Sequence, residues 1–102
     1  MINNVIINST ETTILECPID LSYAAVTLFF CNTSSSNEVI TVYAVKNGDS
    51  AGDSNTFLKE VTIPAKDTGI FSDKLLLDSL DKISAIGSTG NRVSCTVSFI
   101  TL

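Results

Sequence analysis

The stretch Arg92–Leu102, RVSCTVSFITL, decides the fold class. Apolar residues occupy every second position, and serine or threonine fills the positions between them. The apolar set is Val93, Cys95, Val97 and Phe99, and the polar set is Ser94, Thr96 and Ser98. A period of two is typical of a half-buried antiparallel strand, with the apolar set on the core.

The same β pattern runs through the whole chain, and no stretch sustains the 3.6-residue period of a helix. The leucine-rich segment 75–81 is best interpreted as a strand followed by a tight turn. We predict strands near residues 2–8, 12–18, 22–31, 38–46, 56–64, 69–77, 82–87 and 92–101. Short breaks rich in Asn, Ser, Gly and Pro separate them. This spacing predicts an all-β fold, an antiparallel two-sheet sandwich or jelly-roll-like arrangement of about eight strands.

Length and charge restrict the domain organisation and the partners. A chain of 102 residues has room for one domain, and we place residues 1–102 in a single sandwich, with 1–19 as a possible docking or exchanged segment. The net charge is −5, from six cations and eleven anions. We therefore expect neither nucleic acid nor a membrane as a partner. The first residues lack a basic region and a long apolar region, so we expect no signal peptide.

The chemistry of enzymes and metal sites is poorly represented. Histidine is missing, and Cys17, Cys31 and Cys95 lack the spacing of a zinc or redox site. We predict no catalytic residue, no cofactor and no metal, with the cysteines acting as buried free thiols. The loop 47–55 offers two carboxylates but does not match an EF-hand, so an ordinary turn is favoured over a calcium site.

Two central strands are apolar on both faces, which a two-layer sandwich does not bury by itself. In one strand we place Phe29 opposite Phe30, and in the next we place Val39, Tyr43 and Val45 on one face. Either a loop of the same chain covers the second face, or a partner does. We predict an interface at Phe29, Val39, Tyr43 and Val45, and a homo-oligomer. A carbohydrate-binding module that uses Tyr23 or Tyr43 is the alternative binding hypothesis.

From about residue 20 onward the chain resembles small virion structural proteins of tailed bacteriophages. The resemblance is carried by Ser22–Ala24, Leu28–Thr33, Val42–Gly48, Ile63–Thr68, Leu75–Leu77, Leu80–Ile83 and the strand from Val93 to Leu102. It implies a structural protein without catalytic residues, located in the virion after synthesis in the host cytoplasm. Its partners would be other virion structural proteins. Within that class we expect a head or neck accessory subunit (decoration or cement). A tail-fibre or baseplate component, or a carbohydrate-binding adhesion module, is the alternative.

Overall fold

The computed structural model describes residues 1–102 and contains nine strands and one short 3-10 turn, η1. Their bounds are β1 Ile2–Ile7, β2 Thr12–Glu16, β3 Tyr23–Asn32, β4 Glu38–Val45, η1 Asp53–Asn55, β5 Thr56–Ile63, β6 Thr68–Phe71, β7 Leu75–Leu77, β8 Lys82–Gly87 and β9 Val93–Thr101. The predicted strand at 69–77 is divided in two, because the chain leaves the sheet at residues 72–74. No helix is long and apolar enough to cross a membrane.

The strands form two antiparallel sheets that pack face to face. Sheet A has the order β1-β9-β3-β6, and β7 pairs with β3 beside β6. Sheet B has the order β2-β8-β4-β5. The antiparallel two-sheet sandwich is thus confirmed. Residues 1–19 supply β1 and β2, which pair with β9 and β8 of the same chain.

The core lies between the sheets and takes one face of each strand, as period-two patterning requires. Sheet A contributes its β9 apolar set together with Leu28 and Phe30, and sheet B contributes Ile40, Val42 and Ile83. Two aromatic pairs close the core. The rings of Tyr23 and Phe99 have centroids 4.8 Å apart, and those of Phe57 and Phe71 are 5.2 Å apart, both in tilted arrangements. The fold is therefore held by contacts between residues distant in sequence.

A β-bulge in β3 changes which side chains face the core. The pairing with β9 shifts register between Ala25 and Thr27, so Val26 is an extra residue. Before the bulge the odd-numbered Ala25 is buried in the core, and after it the even-numbered Leu28 and Phe30 are. Strict alternation along the strand would put Ala25 and Phe29 on one face, and the bulge separates them because it reverses the alternation.

Two buried polar side chains organise the loops at one end of the sandwich. The Nδ2 of Asn32 donates to the carbonyls of Ser36 and Ile63, at 2.8 and 2.9 Å. At the start of β4, Oε1 of Glu38 accepts from the Ser88 hydroxyl and from the Thr89 backbone N–H. These bonds attach the loops after β3 and β8 to the strands, since a buried polar group without a partner is costly.

Candidate functional site: the outer face and the open edge of sheet A

Sheet A contains no charged residue in any of its five strands. Charged residues do occur in the strands of sheet B, namely Glu16, Glu38, Lys59, Glu60 and Lys82. The other charged side chains lie in the connecting loops. The charged side chains of the molecule thus lie in sheet B and in the loops, and none lies in a strand of sheet A.

The solvent side of sheet A carries large apolar side chains, which we call the apolar face. Two of its members, Ile70 and Leu76, are 63% and 71% exposed. The apolar face comprises Ile2, Ile6, Phe29, Ile70, Leu76 and Ile100. Ala24 lies among them but is buried, because its register partners are Ile100 and Leu76. Large exposed apolar side chains grouped on one sheet in this way indicate an interaction site.

The apolar face is not flat, because large and small side chains are unevenly distributed across the strands. One register row runs Asn4, Thr96, Phe29 and Ile70 from β1 to β6. The neighbouring row contains Ile6, Ser94, Cys31 and Thr68. Along β9 the outward positions Ser94, Thr96 and Ser98 form a shallow trough, with the Phe29 ring on one side of it.

The hydroxyl in the middle of the trough already has a partner within the chain. The Oγ1 of Thr96 donates to Oδ1 of Asn4 at 2.7 Å. Covering this pair therefore leaves fewer polar atoms without a hydrogen bond than covering two free side chains would.

The outer edge of β1 offers unpaired backbone groups. The amine and the carbonyl of Met1 both bond Phe99 of β9, and the Ile7 carbonyl accepts from the Asn91 N–H. The odd-numbered residues of β1 therefore direct their backbone groups toward β9. Those of Ile2, Asn4 and Ile6 point the other way, and we call them the open edge. β1 has neither charge, proline nor bulge, the features that usually prevent strand addition.

The other sheet edges each carry such a feature. The β5 edge has a register shift at its charged residues, and Glu60 has a φ of 51°. β2 has five residues and a bulge between Thr13 and Leu15. The β6–β7 edge of sheet A is interrupted at Asp73 and Lys74. The open edge of β1 is thus unlike the three others.

The four residues predicted as an interface do not form one surface. Phe29 lies on the apolar face of sheet A and is 38% exposed. Val39 and Tyr43 are half-buried in β4 of sheet B, on the opposite side of the molecule. The expectation for Val45 needs correction, since the folded chain itself leaves only 2% of this residue exposed. Val39 lines a shallow depression of about 230 Å³ together with Thr41, Glu60, Ile86, Gly87 and Ser88.

Sequence reasoning missed most of the apolar face. Ile2 and Ile6 lie in the segment 1–19, which was predicted as a possible docking or exchanged segment. Ile70 and Leu76 lie in the predicted strand 69–77, for which no core face and no solvent face were assigned. Their signal in the sequence is the lack of charge in each segment. That signal becomes informative only when the segments are known to share one sheet.

The three cysteines are free thiols in different surroundings. Burial raises the pKa of the Cys95 thiol to about 12. Burial also raises the pKa of Cys17, and Asp81 and Asp78 add to this, against a backbone hydrogen bond at Tyr23 that lowers it. Cys31 is half-buried and points to the solvent side of sheet A. No group of His, Cys, Asp or Glu is arranged to hold a metal ion.

Comparison with known proteins gives a fold relative and corrects the expected function. No family model matches the chain, and no curated protein does. A solved structure of Bacillus endospore appendages, which form a family of disulfide-linked pili, matches with a TM-score of 0.54 and 12% identity. The match covers 100% of this chain and 84% of that one. At this identity the likeness shows the fold. The predicted function as a tailed-phage virion subunit is wrong by this comparison, because the matched protein belongs to a bacterial pilus.

Proposed function

We propose that this chain is a non-catalytic structural subunit that associates with copies of itself into a fibre, in the manner of a pilus subunit. The observation that carries the proposal is the open edge of β1. Six consecutive uncharged residues present an unprotected strand edge there. The likeness to a subunit of endospore pili supports a fibre as the product.

The chemistry of assembly follows from the backbone groups of the open edge. A strand from a second copy can pair with the N–H and C=O groups of Ile2, Asn4 and Ile6 and so extend sheet A. No charged side chain of β1 has to be desolvated in this step. Pairing of β1 with β1 of a second copy would be a two-fold contact that closes at a dimer, so growth of a fibre requires that the incoming strand come from a different part of the second copy, because repeated heterologous contacts produce an open polymer.

The test removes one edge-facing donor while preserving the fold. Asn4→Pro deletes the Asn4 N–H, which points away from β9, so the pairing of β1 with β9 remains. The substitution also removes the hydrogen bond from Thr96 to Asn4, and Asn4→Ala serves as the control for that loss. We expect fibres in negative-stain electron microscopy for the native chain and for Asn4→Ala, and none for Asn4→Pro.

Two outcomes would count against the proposal. Fibres of Asn4→Pro that are as abundant as native ones would rule out growth through the open edge. A native chain that forms no fibres at any concentration, up to about 1 mM, would refute the structural role. The melting temperature of Asn4→Pro must stay close to that of Asn4→Ala. If it does not, Ile2→Pro replaces it, because its N–H also belongs to the open edge.

A further inference from the structure

The apolar face remains exposed even if the open edge is occupied, because strand addition takes place in the plane of the sheet. The side chains of a strand stand roughly perpendicular to that plane. The six members of the apolar face expose on the order of 600 Å² per copy, at the upper end of what single soluble chains display. The amount approaches the roughly 800 Å² per partner of a standard stable interface.

We propose that the apolar face binds the apolar face of a second copy of this chain, related by a two-fold axis parallel to the strands. This proposal rests on the proposed function, because it again takes a second copy of the chain as the partner of sheet A. Rotation about this axis reverses the strand order, so the order β1-β9-β3-β6 of one copy faces the order β6-β3-β9-β1 of the other. β3 of one copy then lies over β9 of the other, and β1 lies over β6.

The register of sheet A makes such a pairing self-complementary. The axis preserves position along the strands, so each register row meets its own reverse. In the first row the Phe29 ring of one copy meets Thr96 of the other, and Ile70 meets Asn4. In the row containing Cys31, the thiol meets Ser94, and Ile6 meets Thr68. In these two rows each large side chain is therefore opposite a small or polar one, which is the interdigitation that packed sheets require.

The distribution of charge is compatible with a second copy as the partner. Each chain has a net charge of −5, so association of two copies is opposed by repulsion. Sheet A is the sheet without charged strand residues, so contact through its outer face buries no charged side chain of a strand. A strongly basic partner, in contrast, would find no anionic side chain to pair with on this face.

The test places a charge in the trough and compares it with the same change on the other sheet. Thr96→Arg introduces a guanidinium beside the Phe29 ring of the second copy. Thr62→Arg is the matched control, since Thr62 is exposed and pairs with Val39 on the outer side of sheet B. Sedimentation velocity at concentrations below fibre formation reports the dimer, and the alkylation rate of Cys31 reports whether the face is covered.

We expect the native chain and Thr62→Arg to form a dimer that dissociates on dilution, with Cys31 alkylated more slowly at high concentration. Thr96→Arg should weaken the dimer by at least about 100-fold, since unpaired charges in a desolvated contact cost several kcal/mol. The melting temperatures of the two variants, measured on the monomers, should agree within a few degrees.

The two proposals fail in different ways. A native chain that sediments as a monomer below the fibre-forming concentration, or equal behaviour of Thr96→Arg and Thr62→Arg, overturns the face-to-face dimer. Neither result affects fibres that depend on the open edge. Conversely, fibres that persist in Asn4→Pro overturn edge growth, while a dimer sensitive to Thr96→Arg still stands.

Discussion

The carboxylate of Glu38 attaches the turn after β8 to the start of β4, and a double-mutant cycle measures how strongly. The carboxylate is almost completely buried at the end of the core. Its Oε1 accepts from the Ser88 hydroxyl and, at 2.6 Å, from the Thr89 N–H, while its Oε2 has no partner. The Ser88 hydroxyl also accepts from the Val39 N–H at 3.2 Å, so it links β4 to the turn twice.

The magnitude follows from the charge of the acceptor. A hydrogen bond to a charged group contributes about 1.5–3 kcal/mol, against about 1 kcal/mol for a neutral pair. Ser88→Ala should therefore lower the free energy of unfolding by about 2–3 kcal/mol in the native chain. In a Glu38→Gln background the acceptor is neutral, and the same change should cost about 1 kcal/mol. The coupling energy is thus about 1–2 kcal/mol.

Urea unfolding followed by circular dichroism measures all four members of the cycle, and the native-background change should lower the melting temperature by roughly 8–15 °C. Ser54→Ala is the control, because Ser54 is an exposed loop serine whose loss should change the unfolding free energy by less than about 0.5 kcal/mol. A coupling energy near zero would refute the reasoning, since Ser88 would then act independently of the Glu38 charge.

Three further predictions concern the turns, the core and the thiols. Lys66 is the third residue of a turn closed by the Asp67 N–H and the Pro64 carbonyl, and its φ is 58°. Because this region favours glycine, Lys66→Gly should raise the unfolding free energy by about 0.5–1 kcal/mol in urea titrations, and a loss would contradict this. A Cβ at Gly69 would lie 2.7 Å from Cδ1 of Ile63. Gly69→Ala should lower the free energy of unfolding by about 1–2 kcal/mol, and the second change Ile63→Val, which removes Cδ1, should restore part of it. If the losses of the two changes simply add, the clash with Ile63 is excluded. Burial raises the pKa of the Cys95 thiol to about 12, above its value in the unfolded chain. The stabilisation of the folded state by the neutral thiol is therefore complete below pH about 9. As the pH rises toward 12, the free energy of unfolding falls by up to about 1.4 kcal/mol per pH unit, because the unfolded chain loses the proton first. The stability difference between the native chain and Cys95→Ala should accordingly narrow from pH 8 to 11, and a constant difference would contradict the buried thiol.

The strands were predictable because they depend on local information. Period-two patterning and turn residues located nearly every strand within about two residues, since both signals act over a few neighbouring positions. The division of the predicted strand at 69–77 was missed, because the break consists of Ser72, Asp73 and Lys74 and contains no proline or glycine. Local propensity alone does not reveal where a strand leaves its sheet.

The arrangement of the candidate site was not predictable, because it depends on pairing between distant strands. The bulge at Val26 reverses the side-chain alternation of β3, so Phe29 faces solvent while Ala25 faces the core. Phe29 and Tyr43 are both aromatic residues in two-sided strands, yet β3 and β4 belong to different sheets. Sequence patterning gives the two faces of each strand but not which faces lie together.

The difference among the sheet edges indicates association with other copies more specifically than exposed apolar side chains do. A chain that must remain single protects every edge, because one unprotected edge is enough for aggregation. Here three edges are interrupted by a bulge, by charged residues or by a break, while β1 retains six regular uncharged residues. A charge at Asn4 or Ile6 would point to solvent and disturb no core contact, so folding does not require these positions to be uncharged. The selective exposure of one edge, next to a face without charge, is the pattern expected of a subunit that associates with other copies through this part of its surface.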